Sequence, residues 1–211
     1  PIITHLPHNN EEEGVFSAAA TLDENGDIVL FYGAIWAANS TTDQVDVRVS
    51  LAVSQNGLDF VDKGYVFSPG GEVSPLGTFH ANGMWHVYYI NTSGWRFNLL
   101  SGNTKESLTD QGSVLSRGGI IAGGDPVRLS PNKIALFVQF DFSRFFIETL
   151  TASVDSPQSL SAPVEIYDFD PEDIHTTVFL DAETQTWFMY YLNPRSSSVR
   201  SINVKTAPMV G

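Results

Sequence analysis

"DIHTTVFLDAETQTWFMYYL", residues 173–192, decides the fold. A short apolar run, "HTTVF", meets a polar turn, "DAETQ" (181–185), and continues into an aromatic run, "TWFMYYLNP" (186–194). Aromatic and β-branched runs of that length, split by turn residues, read as a β-hairpin. The same unit recurs three times upstream. "DIVLFYGAIW" (27–36) follows "DENG" (23–26), "MWHVYYINTS" (84–93) follows "ANG" (81–83), and "KIALFVQFDF" (133–142) follows "SPN" (130–132). The runs "VFSAAATL", "PLGTF" and "PVRL" stand ahead of those turns. A third run comes after each hairpin: "VDVRVSLAVSQ", "FNLLSGN", "FFIETLTAS" and "SVRSINVK". Three repeats add a fourth: "LDFVDKGYVF", "LTDQGSVLS" and "LSAPVEIYDF".

Aligning Tyr32, Tyr89, Val138 and Tyr190 gives steps of 57, 49 and 52 residues. Groups of four antiparallel strands recurring at about 40 to 50 residues are the mark of β-propeller blades. No long helical period interrupts them. The expected fold is therefore all-β: a single propeller domain over residues 1–211, with four blades of four antiparallel strands. A five-bladed propeller is the alternative, and it needs a fifth inner hairpin that the sequence does not display. The last repeat stops after its third strand, at "TAPMVG". The N-terminal "PIITHLP" (1–7) is expected to supply the missing outer strand and close the ring.

Composition bounds the rest. With 42% hydrophobic and 17% charged residues, 211 residues can bury a real core. The longest apolar run, "KIALFVQFDF", is too short to span a membrane and carries Lys133, Gln139 and Asp141. No basic and apolar leader opens the chain, so it reads as soluble, with its compartment open. Zero cysteines exclude disulfides, thiolate zinc sites and a cysteine nucleophile. A net charge of −13 argues against nucleic acid and anionic membranes as partners.

In a propeller blade the inner strand starts at one face, and the loop between the second and third strands returns there. Two sets of residues thus surround one axial mouth. Ahead of the inner strands come Glu13 and Ser17, Glu72 and Ser74, Asp125, and Asp173 with His175. From the returning loops come Trp36 and Asn39, Trp95 and Arg96, Arg144, and Arg195. Three successive blades place an arginine in the same loop, and a guanidinium fork suits carboxylate, sulfate or phosphate. The bland alternative is that these arginines pair with neighbouring acids. Trp36 and Trp95 can stack on a sugar or another flat ligand. In "GGDPVRL", Gly123 and Gly124 permit close backbone approach and Pro126 holds Asp125 extended. Across a narrow axis, Asp125 and His175 suit acid/base work, and His175 also suits a metal.

At these residues the sequence resembles the five-bladed propellers of glycoside hydrolase family 43 and its relatives. "VRVSLAVSQNGLDFVDKGYVF" (47–67) is similar to their third and fourth strands, with a Ser-x-Asp/Asn-Gly turn before an aromatic. "SPLGTFHANGMWHVYYINTSG" (74–94) and "GGDPVRLSPNKIALFVQF" (123–140) resemble two further blades. In the second of these, the resemblance gives Asp125 the role of orienting the acid and tuning its pKa. "DIHTTVFLDAETQTWFMYYL" resembles the final blade, which implies that His175 points into the axial channel towards a calcium ion. The chain departs from the family at two places. Ala18 stands where the catalytic base would align, and no blade carries the acid glutamate of "EGP". Glycoside hydrolysis needs two carboxyl groups, about 5–5.5 Å or 6.5–9.5 Å apart. Glu72 is the candidate replacement for the acid.

The expected function is that of a carbohydrate-active, glycoside hydrolase-like enzyme. Asp125, His175 and Glu72 would be catalytic. Trp36, Trp95, Arg96, Arg144, Arg195, Asp173 and Glu13 would bind an oligosaccharide or small anionic sugar. The alternatives are a non-catalytic glycan-binding propeller, and a lyase, isomerase or cyclase acting on a small carboxylated metabolite.

Overall fold

The computed structural model describes residues 14–39, 44–91, 96–115, 120–140, 146–168, 174–193 and 201–208. At several strand ends, including those of Asp125 and His175, the backbone alone is described. The chain divides into two compact units, Pro1–Ser116 and Arg117–Gly211. Every described element is a β-strand, and among the described residues no helix is long and apolar enough to cross a membrane.

The first unit holds two four-stranded antiparallel sheets. One consists of β1 (Gly14–Leu22), β2 (Ile28–Asn39), β3 (Gln44–Ser54) and β4 (Val61–Phe67), paired in that order. The other consists of β5 (Val73–Ala81), β6 (Met84–Asn91), β7 (Arg96–Thr104) and β8 (Ser107–Leu115). Inner strands β1 and β5 lie side by side. The second unit repeats the plan with β9 (Ile120–Ser130), β10 (Lys133–Phe140), β11 (Phe146–Ser153) and β12 (Val164–Asp168). Its second sheet has β13 (Ile174–Asp181), β14 (Thr186–Asn193) and β15 (Ser201–Pro208), with β13 beside β9. These are the four expected propeller blades. The fourth has three strands among the described residues, and the segment 1–7 expected to complete it lies outside them. One expectation is corrected: Asn39, read as a residue of the returning loop, belongs to the ladder, because Ala37, Ala38 and Asn39 pair with Asp46, Val45 and Gln44.

Turn chemistry explains the hairpins. Asn82 (φ 53°) and Gly83 (φ 74°) join Ala81 to its partner Met84, the left-handed pair that a two-residue turn requires. Asp23 Oδ1 accepts the N–H groups of Asn25 and Asp27, and Asp181 Oδ1 accepts that of Glu183. In "SQNGLD", Ser54 Oγ accepts from the Gly57 N–H, while Asn56 Oδ1 accepts from Leu58 and Asp59. The Ser-x-Asn-Gly segment is thus a self-bonded turn. At Gly102 a side chain is impossible, because an added Cβ would meet the Ser107 backbone. The β7–β8 hairpin can therefore fold tightly back.

Alternate residues of neighbouring blades build each core. Val29 and Phe31, Val47, Val49 and Leu51, and Trp85, Val87 and Tyr89 interleave between the first two sheets. Phe31 meets Trp85 edge-on at 6.3 Å. The second unit repeats this contact, with Phe137 edge-on to Trp187 at 5.3 Å within a cluster of Val127, Ala135 and Val178. At the turn ends of the first two blades, Lys105 reaches Asp23 at 2.8 Å, and the Asp23 side chain is only 3% exposed. The Lys105 hydrogen bond holds the Asp23 carboxyl below the usual carboxylate range.

His86 is buried on β6, stacked on Phe79 at 4.6 Å, with Nδ1 2.8 Å from Ser101 Oγ. Burial, helped by the charge of nearby His80, lowers its pKa to about 4. A depressed histidine leaves the unfolded chain holding more protons. Stability is therefore lost as pH falls from the ordinary histidine value towards about 4. Replacing His86 by Asn should flatten this part of the urea midpoint's pH dependence, by roughly 3 kcal/mol at most. Leu51→Ala, at a fully buried position, should lower unfolding stability by about 2–5 kcal/mol in the same measurement.

Candidate functional site

The registers of the four inner strands share one irregularity. Counting from each hairpin turn, five residue pairs form without interruption of the β2, β6, β10 or β14 partner sequence, and then the inner strand carries one extra residue. In β1 that residue is Ser17, between Phe16 and Ala18. In β5 it is Leu76, between Pro75 and Gly77. In β9 it is Gly124, and β9 has further irregularities on either side. In β13, His175 and Thr176 together span the interval between Ile174 and Thr177 that a single residue spans on β14. An extra residue bends the strand and re-aims its neighbours, and such bulges gather beside binding and catalytic sites.

Two of the three expected catalytic residues lie at these bulges. His175 is inside the β13 bulge, and Asp125 is directly after the β9 bulge, paired with Phe137. Since β9 and β13 are neighbours, the two lie at corresponding bulges of adjacent inner strands, although by register Asp125 matches Thr177, two residues on from His175. Asp125 was expected ahead of its strand but belongs to it, because β9 begins at Ile120. The fifth pair from the turn is Ala18–Tyr32 in the first blade, Gly77–Tyr88 in the second, Asp125–Phe137 in the third and Thr177–Tyr190 in the fourth. Of four equivalent positions, one carries a carboxylate. Ala18 does occupy the place that Asp125 occupies two blades later.

Ser17 fixes the first bulge. Its φ of 44° is left-handed, a conformation that costs a non-glycine residue about 1 kcal/mol or more. Its hydroxyl donates to the Pro75 carbonyl at 2.6 Å, tying the bulge of β1 to the residue just ahead of the bulge in β5.

The remaining expectations divide. Glu72 is exposed and immediately precedes β5, as read from the sequence. Arg96 is exposed but is the first residue of β7, paired with Asn91, rather than a loop residue. Trp36 also lies within a strand: it is the extra residue where β2 shifts register against β3. In both cases the ladder runs further than the polar sequence around it suggests. Glu13, Trp95, Arg144, Asp173 and Arg195 lie outside the described residues. Among the described residues no three His, Asp or Glu side chains come together to hold a metal ion, and the side chain of His175 lies outside that description. The sequence reading missed the shared bulge. Its traces were the Gly123–Gly124 pair and Pro75, residues out of place in the middle of a strand.

No protein-family model matches this sequence, and no curated protein is significantly similar to it. Solved structures are. An α-L-arabinofuranosidase from Podospora anserina, in complex with cellotriose, superposes with a TM-score of 0.71 at 13% identity, over 98% of this chain and 68% of that one. A thermostable family-43 glycoside hydrolase gives 0.67 at 14% identity, over 94% and 71%. A β-1,2-mannobiose phosphorylase from Listeria innocua gives 0.67 at 12% identity, over 99% and 76%. In fold, the chain is a β-propeller like those of the family 43 and family 62 glycoside hydrolases.

The Ser17 bulge yields a reversal of the usual strand preference. Ser17→Ala loses the hydrogen bond and keeps the left-handed backbone, so it should destabilise by about 1–2 kcal/mol. Ser17→Gly loses the same bond but relieves the backbone, and should be more stable than the alanine variant by about 1 kcal/mol. Denaturant midpoints of the two variants measure this, and an alanine variant equal to or above the glycine one refutes it.

Proposed function

We propose that the protein is carbohydrate-active and glycoside hydrolase-like, working where its inner strands begin. The observation that supports this most is the placing of Asp125 and His175 at matching bulges of adjacent strands. Structural neighbours solved with cellotriose, mannobiose and xylotriose support a saccharide as the ligand class. In this reading Asp125 is the carboxylate that directs proton transfer, His175 its acid/base partner, and Glu72 the second carboxyl group. Arg96, Arg144 and Arg195 favour a sugar bearing a carboxylate or sulfate, which a guanidinium fork grips in two places. Trp36 and Trp95 offer stacking faces.

A second reading, a glycan-binding propeller without turnover, is favoured by the fifth-pair positions. With Ala18, Gly77 and Thr177 there, Asp125 has no carboxylate partner at its own level. Release of reducing ends from a panel of neutral, uronate-bearing and sulfated oligosaccharides separates the two. Under the first reading, Asp125→Asn and His175→Ala each lower turnover by about 10²–10⁴-fold while the fold and the saccharide affinity persist. Saccharide binding without product in the native protein selects the second reading. Undiminished turnover in both variants removes the first.

A further inference from the structure

The turn ends of the first two blades enclose a cleft of about 260 Å³. Trp85, only 6% exposed, forms its floor. The Lys105 ammonium lies 5.6 Å from the indole centre, and the half-buried His80 ring stacks on the indole at 4.6 Å and 21°. Buried Asp23 accepts from Lys105 at 2.8 Å and so fixes the ammonium in place. An ammonium has three donors, and among the described residues Lys105 gives a hydrogen bond to Asp23 alone. Glu24 and Glu106, both exposed, add acceptor-only carboxylates to the same cleft.

A ligand here meets fixed donors and fixed acceptors together. A small anion is disfavoured by Glu24 and Glu106, and a small cation by Lys105. A neutral polyol suits both, because each hydroxyl donates and accepts. One face of the His80–Trp85 stack gives the apolar surface on which the C–H face of a sugar ring can rest. We infer that this cleft is a binding site for a single neutral pyranose. It lies five residue pairs along the inner strands from the bulges, about 17 Å away, and does not depend on the activity proposed there.

The test titrates the full chain with D-xylose, D-glucose and D-galactose while NMR follows the His80 imidazole and Trp85 indole signals. A saturable shift with at least one sugar is expected, and none with sodium sulfate or methylammonium at equal ionic strength. His80→Ala and Glu106→Ala should each weaken that sugar by about fivefold or more with unchanged urea midpoints. Asp125→Asn should leave it unaltered while lowering any turnover, and His80→Ala should leave turnover unaltered, which keeps this site separate from the other. Absence of a saturable shift with all three sugars, an equal response to sulfate or methylammonium, or undiminished affinity in both cleft variants would overturn the inference.

Discussion

The two-residue period of a paired strand governs this molecule. Hydrogen bonding fixes which residues stand opposite one another, and alternation then sends each side chain to one face or the other. On β2, Val29 and Phe31 enter the core shared with the second blade, while Leu30, Tyr32 and Ala34 gather with Ala52 and Phe60 on the opposite face. One strand therefore serves two faces, which is why these strands are apolar almost throughout instead of alternating with polar residues. An extra residue in such a ladder exchanges the faces of everything beyond it. Placing that exchange five pairs from the turn in all four blades gives the strand starts a packing scheme distinct from that of the turn side, with β9 adding further shifts of its own.

A repeated scaffold with unrepeated side chains is how one framework can hold an asymmetric site. The backbone offers four equivalent places after the bulges, and the sequence fills them with alanine, glycine, aspartate and threonine. Stability requires only that these residues be tolerated there. Fold likeness at 12–14% identity reflects the shared packing scheme and does not fix a function.

Much of the fold was legible because its signals are local. Turn residues at 23–26, 81–83, 130–132 and 181–185 end inner strands where the ladders end, and the aromatic runs that follow are the second strands. Strand ends were less legible. Trp36 and Arg96 read as loop residues because asparagine, serine and threonine follow or precede them, yet backbone pairing carries β2 and β7 through those positions. Asp125 and His175 stood out through residue type and flanking glycine or proline. Their shared placing at bulges did not, since a bulge is a relation between two strands and one strand's sequence records only half of it. The Asp23–Lys105 pair, 82 positions apart, left no local trace at all.

The paired Phe–Trp contacts have a spectroscopic consequence. The protein has four tryptophans, and each unit holds one of them at the junction of its two blades: Trp85 beneath His80 and Lys105, and Trp187 against Phe137. Trp85 is shielded from water and sits beside a cation and an imidazole, so its emission should be short in wavelength and weakened by quenching. Trp187 is less enclosed, so its emission should lie further to the red. With Trp36 and Trp95 replaced, intrinsic fluorescence would leave this cysteine-free chain one native optical reporter in each half, without any added dye.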